Sequence, residues 1–183
     1  MKFPGKLLAI SLTLVAAISL TALINVSAED VPMTTQQIEI IRSNCVSVKN
    51  TLNQLHASDA LLRVNMGQRY ESMSTKLMDG FNGRVSGNHF DSSTLVSSMN
   101  SYNSMLDTFR AEYKNYEEHL FAVININCQA QPVAFYDAIA AARTQRDKVH
   151  LDIVRLNLYL DQYKSNLDQF EKDYQVATDG VKQ

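Results

Sequence analysis

Tryptophan is missing altogether, and glycine, proline and cysteine are sparse, at six, three and two residues in a chain of 183. So few breakers exclude a fold of many short strands joined by tight turns and favour a small number of long elements. What is present, 45% hydrophobic and 20% charged residues, is the composition of a chain that folds around a core, and its length suits one domain.

The long uncharged stretch lies at the start. Lys2 and Lys6 form a basic region, residues 7–24 are an apolar run, and Val26-Ser27-Ala28 places small residues where a signal peptidase cuts. Residues 1–28 therefore read as an export signal. The run is also long enough to span a bilayer, so removal after Ala28 and retention as an anchor both stay open. Setting the segment aside removes Lys2 and Lys6 from the 17 basic residues, leaving 15 against 19 acidic ones, a net charge of about −4. A chain without basic excess is a poor ligand for nucleic acid or anionic lipid, so membrane contact is expected only through residues 7–24.

Beyond a short linker at residues 29–33, apolar residues recur with helical spacing in three segments. The first, about 34–82, opens with Thr34 as N-cap, Gln37 to close a capping box, and Met33 and Ile38 as a hydrophobic staple. Its seam runs Ile38, Ile41, Cys45, Val48, Leu52 and Leu55, is interrupted by Asp59, and resumes as Leu62, Met66, Tyr70, Met73 and Leu77 with a stutter. The second, about 91–127, starts at Asp91 with Phe90 and Leu95 as a staple. It carries an unbroken three-four alternation from Leu95 through Met99, Tyr102, Leu106, Phe109, Tyr113, Tyr116 and Leu120 to Val123. The third, about 132–176, begins with Pro132 in a first helical turn and repeats the rule from Phe135 to Tyr174, with Arg146 as the one charge in the seam. Residues 177–183 are expected to fray.

Short breaks between long helices force antiparallel neighbours, so the fold expected is all-α: a long antiparallel three-helix bundle with coiled-coil-like seams. Reflection about a first turn near residue 86 sets Cys45 level with Cys128, which is the geometric condition for a bridge in an exported chain. A second reflection, about the turn near residue 129, brings Arg146 level with Asp59 beside Tyr113. These three form a candidate buried polar layer, expected to fix register more than to add stability.

No arrangement of catalytic residues emerges, and no cofactor or metal site is expected. None of the four histidines sits in a ligand-spaced motif; His56 and His119 come nearly level, close to Glu117 and Glu118, but beside the seam, where solvated side chains are the ordinary outcome. Neighbouring acids such as Glu117 and Glu118 point about 100° apart on a helix and cannot share a substrate bond. The first helix overhangs the level of Cys45, which leaves Ile38, Ile40 and Ile41 as a candidate interaction patch. The sequence thus points to a non-enzymatic exported protein that meets a protein partner or a second copy of itself. The alternative is a binding module or chaperone-like protein holding a small ligand or client in a groove between helices.

The stretches IRSNCVSVKNTLNQLHASDALLRVN at 41–65 and QPVAFYDAIAAAR at 131–143 resemble uncharacterised exported helical proteins of small-genome candidate-phylum bacteria of the Saccharibacteria type. The resemblance implies export in a bacterium and a coiled-coil-like fold, and carries no activity or functional residues to transfer.

Overall fold

The computed structural model describes residues 32–179, which are helical almost throughout and contain no strand. Residues 1–28, expected to be an export signal, most of the expected linker and residues 180–183 lie outside the described residues.

Helix α1 spans Thr35–Ser72 and starts on the capping box: the Gln37 amide donates to Thr34 Oγ1 at 3.3 Å, and the Thr34 amide donates to the Gln37 side chain at 2.8 Å. A π-helical segment, Met73–Met78, joins it without interruption to α2, Asp79–Gly87, since the junction residues Met73 and Asp79 are both right-handed helical. The three form one long arm that runs past the expected end at residue 82. Gly80 and Gly83 stay helical because Phe81, Asn82 and Val85 between and beyond them face the core.

The arm ends in a Schellman arrangement, with the His89 amide bonded to the Ser86 carbonyl at 3.0 Å and the Phe90 amide to the Val85 carbonyl at 3.1 Å. Helix α3, Ser93–Asn125, follows. Asp91 does not occupy its N-cap; Ser92 does, while the Asp91 carboxylate accepts the Ser93 amide at 2.9 Å, and that bond holds the carboxyl below the usual range. Phe90 turns its ring edge-on to Phe170 and Tyr174. Helix α4, Pro132–Asp179, begins after a turn in which Asn127 Oδ1 accepts the Gln129 and Ala130 amides, both at 3.1 Å.

Cross-helix hydrogen bonds show the directions. Asp59, Tyr70 and Asn82 of the arm meet Tyr116, Tyr102 and Met99 of α3, so numbers rise on one helix as they fall on the other. Asp59 and Asn82 meet Arg146 and Tyr163 of α4, rising together. The three helices pack on one another around the α3 seam, all of which is buried except half-buried Met99.

Two seams depart from expectation. In a π turn each carbonyl bonds five residues on, here Ser74 to the Asp79 amide, so one extra residue is wound in and everything after it rotates. Met78 enters the core at 2% exposure while Leu77, the expected seam residue, stands 64% exposed. Leu62 is exposed as well. On α4 the core takes Gln145 and Asp152 rather than Arg146. The sequence 142, 145, 149, 152, 156 is itself a three-four alternation, but spacing of apolar residues does not reveal it because two of its members are polar.

Candidate functional site

The chemistry-bearing residues fall at three levels of the bundle. At the end near the second turn, Cys45 and Cys128 are joined by a disulfide with 5.7 Å between their Cα atoms. Around it Val123, Phe135 and Ala142 are buried and Ile41, Val48 and Ile139 pack alongside. Two cations of α1 reach the turn's carbonyls, Arg42 to Gln129 at 3.2 Å and Lys49 to Ile126 at 3.0 Å. The patch expected at Ile38, Ile40 and Ile41 is therefore divided. Ile41 packs under the turn, Ile38 is half-buried, and Ile40 presents 54% of its surface to solvent.

At mid-height the structure brings Asp59, Tyr113 and Arg146 together and adds Tyr116. The Tyr116 hydroxyl donates to Asp59 Oδ2 at 2.7 Å, the Tyr113 hydroxyl donates to the Asp59 backbone carbonyl at 2.6 Å, and Arg146 Nε lies 3.4 Å from Oδ2. Arg63 closes the layer from outside, over the Tyr113 ring and 3.0 Å from Glu117. Burial, with the Glu117 and Asp59 charges behind it, pushes the Tyr113 hydroxyl up to about 12; burial and then the bond to Asp59 push Tyr116 up as well. Both phenols stay protonated donors, Tyr116 to the Asp59 side chain and Tyr113 to its backbone carbonyl, and so act as structural hydrogen bonds between helices. Asp59 is only 8% exposed and its partners are in place. This layer locks two helices to a third.

Tyr116 was legible as a seam residue, but not as the partner of Asp59, because reflection sets the level of a residue and not the direction of its side chain. The second buried acid, Asp152, is 3% exposed: Arg155 reaches Oδ1 at 3.3 Å while Oδ2 has no partner. Burial raises its pKa, with the Arg155 charge opposing. His56 is half-buried and His119 exposed, and no group of three or more His, Cys, Asp or Glu side chains converges among the described residues.

At the end near the first turn, the π segment and α2 lean against α4 and leave a groove of about 430 Å³. Leu77 and Phe81 on the arm and Leu160 and Leu167 on α4 line it, with buried Met78 beneath, and Lys76, Arg84 and Lys164 stand around it. The Tyr163 hydroxyl in its wall is already used, donating to Asn82 Oδ1 at 2.8 Å. Nothing in the sequence pattern announced this groove, since it depends on the phase shift at the π segment. That a core-type leucine stands outside is its local sign.

No helix among the described residues is long and apolar enough to cross a membrane. Comparison with protein-family models, curated proteins and solved structures finds no match to this chain.

Proposed function

We propose that the protein is an exported, non-enzymatic interaction or scaffold protein of the cell envelope, in which a rigid antiparallel bundle with coiled-coil-like seams presents its outer faces to a protein partner or a second copy. One observation carries this reading. Apolar side chains stand exposed on helix faces turned away from the core: Ile40 on α1, and Leu151, Val154 and Leu158 on α4. The last three follow a three-four spacing about opposite the buried α4 seam, the pattern of a second helix-packing stripe. The buried hydroxyls and the Asp59 layer meanwhile stiffen the support behind them. Export rests on the residue 1–28 pattern and on the bridged cysteines, a pairing suited to an oxidising compartment.

A photocrosslinker at Ile40 or Val154, activated in the native envelope and paired with light scattering of the purified protein, tests the reading. Discrete adducts at these positions and not at an exposed polar control such as Asn50 support it. A strictly monomeric protein that forms no adduct at either apolar position refutes it. A second reading, an extracytoplasmic module holding a small ligand between helices, is favoured by the groove beside the π segment rather than by the filled Asp59 layer.

A further inference from the structure

The groove between the arm and α4 has a lining of one charge type. Ten side chains surround it; three are cationic, none is acidic, and the rest are aliphatic or aromatic. Lys164 is partly neutralised by Asp168 at 2.7 Å, whereas neither Lys76 nor Arg84 makes an ion pair among the described residues. Arg84 folds back along the arm, with its Nη1 3.8 Å from where a Cβ on Gly80 would stand and its guanidinium 5.9 Å from the Phe81 ring centroid. Two cations without a carboxylate partner thus line the same groove, Arg84 resting on the Phe81 ring.

That combination specifies an occupant with one anionic end and an unbranched apolar body. We propose that the groove binds a single-chain amphipathic anion, a fatty carboxylate. Its chain would lie between Leu77 and Phe81 on one side and Leu160 and Leu167 on the other, and its carboxylate at Lys76 and Arg84. The inference rests on the small-ligand reading of the groove and names the ligand class.

Four features favour an acyl chain over a helical partner. A stable protein interface draws about 20–30 residues from each side, and ten lining residues fall well short. The groove's volume lies within the roughly 300–1,000 Å³ of small-ligand pockets. Its wall hydroxyl, Tyr163, is engaged with Asn82, which suits a chain bringing no hydrogen-bonding groups of its own. Half-buried Met73, unbranched and adaptable, can follow a chain of variable length. The π segment makes the site: a regular α-helix would return Leu77 to the seam and remove the wall.

Calorimetric titration of the full-length protein with dodecanoate, dodecanol and dodecylammonium, all below their aggregation limits, reads the charge selection. The expected result is one saturable dodecanoate site, with dodecanol weaker by about tenfold and dodecylammonium weaker still. The double substitution Lys76→Glu/Arg84→Glu should weaken dodecanoate by about tenfold and leave dodecanol unchanged, because both cations are exposed and the helical content stays constant. Equal binding of the three amphiphiles, lost when Leu160→Asp charges the wall, would overturn the fatty-anion proposal while leaving a small-ligand groove. Absence of any saturable site, or dodecanoate binding that both substitutions leave intact, would overturn the groove reading with it. Cosedimentation with anionic phospholipid vesicles through Lys76 and Arg84, without a dodecanoate site, would overturn the proposal in favour of a membrane surface.

Discussion

His89 is the one non-glycine residue with positive φ among the described residues, at 63°, and it occupies the Schellman position that glycine fills most easily. His89→Gly should therefore raise stability by about 0.5–1 kcal/mol in urea unfolding, because the strain relieved exceeds the added freedom of the unfolded chain; a loss of similar size would show that the imidazole makes a contact worth more than the backbone strain. Asp152 is a different kind of local cost. Burial disfavours its charged form, so its native pKa lies above the unfolded value. Below the unfolded pKa both states are protonated and no cost arises. As pH rises through the unfolded and then the native pKa, the unfolded state releases its proton first and stability falls. Asp152→Asn should stabilise the protein by roughly 1 kcal/mol at pH 7 and by nothing near pH 3, in denaturation curves at the two pH values. An equal effect at both would assign the change to packing instead of charge.

At the scale of the element, the π segment divides positions that sequence spacing can place from positions it cannot. Up to Tyr70 the arm's phase is largely readable from local spacing. After Met73 the phase depends on one extra residue in the turn, which is accommodated by packing: Ser74 hydrogen-bonds Asn103, and Tyr163 bonds Asn82 beyond the segment. Deleting exposed Thr75 should convert the segment into regular α-helix while Asn82 and Val85 keep their places, shifting stability by less than about 2 kcal/mol. Deleting exposed Asn50 in the middle of α1 should rotate one side of the helix by about 100° against α3 and cost far more. Thermal melts of the two deletion variants separate these outcomes; equal damage from both would argue against a stable π turn. The α3 helix shows the opposite case. Its nine seam residues were all legible because every one is apolar or a tyrosine, and burial follows directly from a spacing that the chain carries locally.

Across the whole molecule, the bridge between Cys45 and Cys128 closes a loop of 83 residues, and loop entropy makes that closure worth about 4 kcal/mol. Reduction, or Cys45→Ser with Cys128→Ser, should lower the melting temperature by on the order of 10 °C. The loss of hydrogen-exchange protection should start at the second turn, where Arg42 and Lys49 hold the carbonyls, and spare the Asp59 layer. The sequence by itself determined the helical class, the three segments and the level at which the cysteines, Asp59, Tyr113 and Arg146 stand, because helical period and turn position are local properties that reflection turns into register. Tertiary structure alone decided which side chains answer one another at a given level. Tyr116 reaches Asp59, Gln145 and Asp152 enter the core where Arg146 does not, and Leu77 is left outside to wall a groove. The physical reason is that a one-residue change of phase turns a side chain by about 100°, and only packing against two other helices selects among such turns.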